Sequence, residues 1–238
     1  MTELMYQKDS YLRKFRATVT HVHEGGKIAL DRSAFFPGGG GQPCDSGMFV
    51  SGEEDWRVAK VTTTDRNVLH WIEGDSKPVI GQSILGTLNW ERRFQLMRTH
   101  TAMHILCGVV WRDHGVSVTG GNMHPLQGRL DFEFENISAA MVQEIEQSIN
   151  VEVEAAREVV VNILPREDAF AIPDLIRTKI NLLPEGITEI RTVEIVGLDL
   201  QADGGTHVAN TLEVGEIRIV DYKSKGKSNK RIVVAIDD

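Results

Sequence analysis

The sequence predicts an α+β protein, a small N-terminal β-barrel followed by a mixed α/β domain. Two observations carry that prediction. Residues 15 to 88 break into short β-rich segments at close spacing, the pattern of a small barrel. From residue 89 onward, long helical stretches alternate with strands that read as antiparallel.

The barrel segments are "FRATVTHV", "GKIALDRS", "WRVAKVTTT", "NVLHWIE" and "SILGTLN", punctuated by Gly, Asp and Asn. Among them lies "FFPGGGGQPCDSG", too glycine-rich for a strand interior and therefore a loop. The character changes at Asn89, a good helix N-cap. "WERRFQLMRTHTAMHILCGVVWRDHG" follows with no proline, and no glycine before Gly108. The sequence thus divides into a barrel domain over 1–88 and a second domain over 89–238.

In the second domain "RLDFEFE" alternates like a strand. Ser138 then opens an amphipathic helix with Met141, Val142, Ile145 and Ile149 on one face. "ITEIRTVEIVGLDL", "THVANTLEVGEIRIVDY" and "KRIVVAID" read as strands, and no internal repeat is visible.

Composition sets limits on function. Hydrophobic content of 41% and charged content of 25% belong to an ordinary globular chain. Two cysteines, Cys44 and Cys107, make no disulfide framework and point to a reducing compartment. The charged N-terminus "MTELMYQKDSYLRK" has no signal-peptide core, and no apolar run reaches membrane length, so a cytoplasmic protein without a membrane partner is expected. A net charge of −8 argues against a general nucleic-acid coat and allows a local basic patch.

Two short motifs carry candidate chemistry. His100 and His104 in "MRTHTAMHIL" are one helical turn apart, close enough to share a metal ion. They are equally two unrelated histidines, one exposed and one packed. A zinc-protease motif would need Glu where the chain has Thr101, which disfavours that mechanism. Cys107 falls near the same face and reads as a small core residue. In "LQADGGTHVANT", Asp203 and His207 flank two glycines that let the chain turn sharply. Two ligands from the helix and two from this turn would make four, the usual zinc count; the alternative is an ordinary turn ahead of a strand.

These motifs resemble, over nearly the whole chain, the AlaX-type alanyl-tRNA editing proteins with an N-terminal barrel, and the editing region of alanyl-tRNA synthetase. "FFPGGGGQPCDSG" is similar to the family's GGGQ loop, "RTHTAMHIL" to its HxxxH helix, and "QADGGTHVANTLEVGEI" to the segment that usually reads CGGTHV. The resemblance implies Zn2+ on His100, His104 and His207. It also implies hydrolysis of the ester linking a wrong amino acid, serine first and glycine second, to alanine-accepting tRNA. Asp203 stands where the family commonly has cysteine. As an oxygen donor it can serve as the fourth zinc ligand, or it is freed to act as a base.

The resemblance also brings Thr119, in "VSVTGGNMHP", near the amino-acid pocket, where its hydroxyl could bond a seryl hydroxyl that alanine lacks. The competing reading is a turn threonine. Gly40, Gly41 and Gln42 are candidates for positioning substrate. Lys223, Lys225 and Lys227 in "YKSKGKSNKR" are candidates for tRNA phosphates, against the alternative of solvated loop lysines. DNA is not an expected partner. Two rival functions stay open: editing of another mischarged tRNA, and non-catalytic RNA binding around a structural zinc.

Overall fold

A computed structural model describes residues 1–64, 67–173, 175 and 187–238. The chain forms two compact units, Met1–Phe94 and Gln95–Asp238. In the first, β1 (Glu3–Leu4) pairs in parallel with β4 (Arg32–Ser33). The remaining strands close a six-stranded barrel: β2 (Lys14–His23), β3 (Lys27–Leu30), β5 (Gly47–Ser51), β6 (Glu54–Thr64), β7 (Asn67–Ile72) and β8 (Ser83–Leu88). Their order is β2-β3-β7-β6-β5-β8, with β8 pairing back onto β2 so that no edge is left among them.

Alternation along each strand fills the interior. On β2, Phe15, Ala17 and Val19 point inward between exposed neighbours. They meet Ile28, Phe35, Phe49, Trp56 and Ile84 in one apolar cluster. Each large side chain buried there contributes about 1.5–3 kcal/mol.

The glycine-rich segment is a loop, as its composition predicts. Gly38, Gly39, Gly40 and Gly41 all take positive φ (86°, 147°, 58° and 90°), a run that other residues resist. The loop is tied at its base. Asp45 Oδ2 accepts from Phe36 N at 2.6 Å, and the fully buried Arg93 grips the same carboxylate. Arg93 also donates to Ser10 O at 2.9 Å and Ala34 O at 2.7 Å.

Helix α1 (Trp90–His114) begins in this unit and continues into the second. Asn89 caps it, Oδ1 accepting from Arg92 N at 3.3 Å. Residues 99–110 are buried all round, so α1 is the central helix of the second unit rather than a surface one. Next come β9 (Val118–His124), β10 (Gln127–Phe132), α2 (Ala139–Glu154), β11 (Val159–Pro165) and the short α3 (Arg166–Phe170). After α3 come β12 (Glu189–Ile195), β13 (Asp199–Ala202), β14 (Ile217–Gly226) and β15 (Asn229–Ile236). Two antiparallel sheets result, in orders β14-β15-β10-β9 and β11-β12-β13. On α2, Ser138 Oγ accepts from Met141 N, and Val142, Ile145, Ile149 and Val153 form the buried stripe.

Two segments differ from their sequence patterns. "VTGGNMH" is an edge strand rather than a turn, because pairing with β10, Gly120 opposite Asp131 and Asn122 opposite Arg129, holds it extended despite two glycines. The stretch after His207 is not yet strand. Asn210 and Glu213 form a reciprocal capping box around a 3-10 turn, Thr211–Val214, and β14 starts only at Ile217.

Candidate metal centre

His100, His104, Asp203 and His207 converge in the second unit, with one potential ligand atom from each lying within 4.8 Å of the others. The imidazole centroids are 5.1 Å (His100–His104), 4.2 Å (His100–His207) and 4.8 Å (His104–His207) apart. One helical turn of α1 brings the first two rings together edge to face. The turn after β13 supplies the other pair. Its shape comes from Asp203 itself, whose Oδ2 accepts from Gly205 N at 2.8 Å, an Asx-type turn. Three imidazole nitrogens and a carboxylate oxygen are a donor set that suits a first-row divalent ion, so these residues could hold one.

Asp199, Gln201, Thr101 and Arg191 fix how the donors point, a role that no motif assigns to them. Asp199 Oδ2 lies 2.8 Å from His104 Nδ1, which leaves Nε2 turned to the cluster. Gly108 makes this possible: a Cβ there would lie 2.9 Å from Leu198 Cγ and 3.1 Å from Asp199 Cβ, so only glycine lets β13 approach α1 so closely. Gln201 Nε2 donates to the same Asp199 oxygen at 2.8 Å. Thr101, occupying the position where a zinc protease would carry Glu, places Oγ1 3.2 Å from His207 Nδ1 and accepts from Val208 N at 3.3 Å. Arg191 Nη1 donates to Asp203 O at 2.9 Å and lies 3.7 Å from Asp203 Oδ2. A carboxylate four residues before the "DGGTH" aspartate was the one available hint of Asp199.

Electrostatics favour metal-binding protonation states. Burial pushes His207 down to about 4, against partial compensation by Asp203. Burial likewise holds His100 well below its ordinary value. For Asp203, burial opposes ionisation, yet the surrounding imidazoles, His100 foremost, hold its carboxyl well below the ordinary carboxylate range. Near neutral pH His100 and His207 are therefore neutral imidazoles beside an ionised Asp203.

The other candidates lie elsewhere. Thr119 is exposed, and its hydroxyl is shared between Asp131 O and Asn229 Oδ1, both at 3.1 Å, rather than bonded to any of the four cluster residues. Gly40 is exposed at the tip of the glycine loop, Gly41 is half-buried, and Gln42 is buried, its backbone closing the loop through Gly39. Lys223 and Lys225 lie on β14, and Lys227 follows in the turn to β15.

Two family models match the chain. One, described as the threonyl and alanyl tRNA synthetase second additional domain, covers residues 190–233, which include Asp203 and His207. The other, described as class II (A) tRNA synthetases, covers 6–92. Barrel and cluster together are thus of the aminoacyl-tRNA synthetase-related class. The chain is 38% identical to the alanyl-tRNA editing protein AlaX-M of Saccharolobus solfataricus, with 99% of each chain covered. It is 35% identical to AlaX-M of Methanosarcina mazei, over 100% of this chain and 98% of that one. The alanine–tRNA ligase of Ignicoccus hospitalis is 33% identical over 93% of this chain, which corresponds to 24% of the ligase. The chain belongs to the AlaX-M family of alanyl-tRNA editing proteins.

Proposed function

We propose that this protein is a free-standing aminoacyl-tRNA deacylase that removes serine, and secondarily glycine, wrongly attached to alanine-accepting tRNA. One observation carries the reading: four potential metal ligands converge in a chain similar to AlaX-M proteins from end to end. On this reading residues 89–238 form the deacylase domain and residues 1–88 a barrel domain that helps position the tRNA.

The donor set fits Zn2+, with His100, His104, His207 and Asp203 as ligands. A zinc ion there supplies Lewis acidity toward the ester carbonyl and activates water near neutral pH. The chain's own groups do the rest. Asp199 holds the His104 proton on Nδ1 and turns its Nε2 to the cluster, and Thr101 orients the His207 ring through Nδ1. Arg191 fixes the Asp203 turn through its carbonyl. An aminoacyl ester is already activated, so no covalent nucleophile is required.

Thr119 is the proposed selector for serine. Its single proton is shared between two acceptors, while its lone pairs remain available to accept from a seryl hydroxyl. Gly40, Gly41 and Gln42 are proposed to shape the substrate-facing loop, and Lys223, Lys225 and Lys227 to meet tRNA phosphates. No helix among the described residues is long and apolar enough to cross a membrane, and a cytoplasmic site of action accords with a tRNA substrate.

The decisive measurement is release of amino acid from Ser-, Gly- and Ala-tRNA for alanine, with and without a chelator. Serine should be released fastest, alanine should be spared, and the chelator should stop the reaction. Equal release of serine and alanine, or of neither, overturns the proposal. Release from a different mischarged tRNA alone would reassign the substrate.

A further inference from the structure

The lysine turn contains a site more specific than a charged loop. On the β14–β15 hairpin, Tyr222 pairs with Ile232 and Ser224 with Lys230, so these four side chains share one face of the sheet. It is the inner face: Ile232 is fully buried, as is Phe132, which sits opposite Lys230 on β10. Lys230 therefore brings an ammonium group to the rim of the apolar interior and is itself only 5% exposed.

A buried ammonium needs compensation. Lys230 Nζ donates to Gly226 O at 2.8 Å and Lys227 O at 3.0 Å, two neutral acceptors. No carboxylate among the described residues pairs with it, and the third N–H of the ammonium is not used by these bonds. Lys230 lines a groove of about 600 Å³ together with Asn136, Ile137, Tyr222 and Lys227. Tyr222 leaves 39% of its surface exposed there. Lys223 is paired with Asp221 at 3.1 Å. Lys225, on the other face, sits near Asp131, which Arg231 already engages at 2.7 and 2.8 Å.

We propose that this groove binds one unpaired nucleotide of the RNA, its phosphate on Lys227 and Lys230 and its base against Tyr222. The proposal rests on the tRNA-directed reading above and narrows it. An aromatic face beside cations is the general means of holding an unstacked base. The volume accommodates a nucleotide. Glu135 on the same wall repels a bare anion, whereas a base can offer it amino protons.

The test is binding of uncharged tRNA transcript and of a short single-stranded oligoribonucleotide, followed by fluorescence anisotropy. Tyr222→Ala and Lys227→Gln should each weaken both complexes about fivefold or more. Tyr222→Phe should bind like the wild type, and Arg218→Gln, which removes the same charge from the far end of β14, should cost less than twofold. Millimolar orthophosphate should displace neither RNA. An inert Tyr222→Ala, or equal losses from Arg218→Gln and Lys227→Gln, would reduce the groove to a diffuse positive field and overturn the proposal. Full displacement by orthophosphate would overturn it in favour of a simple anion site. Deacylation by the wild type, measured separately, decides the functional reading independently of these outcomes.

Discussion

Asp199 offers the sharpest test of how the cluster is built. Replacing it with alanine removes the acceptor 2.8 Å from His104 Nδ1 and leaves Gln201 Nε2 without that partner as well. Nothing then holds the proton on Nδ1, and the ring can place it on Nε2, the atom needed for a metal. Loss of such an outer partner typically lowers metal affinity 10- to 100-fold, or about 1.4–2.7 kcal/mol. The fully enclosed setting of Asp199, 3% exposed, argues for the upper half of that range. Asp199→Asn keeps the shape and one acceptor but loses the charge, and should fall between alanine and wild type. The assay is competition for zinc against a chromophoric chelator, with circular dichroism of the metal-free protein to verify folding. A folded Asp199→Ala protein with wild-type zinc affinity would refute the positioning role.

Asp203→Ala should lower zinc content and deacylation together, and Asp203→Cys should retain the metal; full zinc content with lost activity would instead make Asp203 a base or orienting group. Thr119→Val should narrow discrimination between seryl and alanyl esters by about 1–3 kcal/mol, read from relative deacylation rates, and unchanged rates would confine the hydroxyl to its bonds with Asp131 and Asn229. Arg93→Ala strands the buried Asp45 carboxylate and should cost about 3–5 kcal/mol in urea unfolding, a loss below 1 kcal/mol refuting the pairing argument. Burial lowers His70 to about 4 from 6.5, so the native protein stays unprotonated there while the unfolded chain takes up a proton. This histidine's stability contribution is therefore intact above pH 6.5 and declines as pH falls, by about 3 kcal/mol at pH 4; His70→Leu should flatten that part of the acid-unfolding profile.

How far the sequence could be read depends on the range of the interaction. Local signals were dependable: Asn89 and Ser138 cap their helices, and strand alternation from Phe15 to Val19 does fill a barrel. The HxxxH spacing placed two rings on one helical face because that geometry is local. Its meeting with Asp203 and His207, about a hundred residues away, was legible only through family likeness, since spacing cannot report a tertiary approach. Asp199 and Arg191 were missed for the same reason. Their roles depend on β13 pressing against α1 at Gly108 and on β12 running beside the Asp203 turn. The extended "VTGG" shows the opposite failure: glycines that locally favour a turn were overruled by pairing with β10.

Burial, which makes charged groups costly, is also what prepares this cluster. A metal must displace protons from its ligands, so each ligand that is protonated before binding weakens the site. Enclosure drives His207 and His100 into their neutral forms well above the pH at which they would titrate. The same enclosure works against the Asp203 anion, and the imidazoles around it more than offset that tendency. Arg191, 3.7 Å from the carboxylate and bonded to its backbone, adds a fixed positive neighbour. An exposed site with the same four residues would have none of these biases, and its affinity would fall steeply as pH dropped below about 6.5. Placing the cluster within the buried stretch of α1 removes that sensitivity across the neutral range.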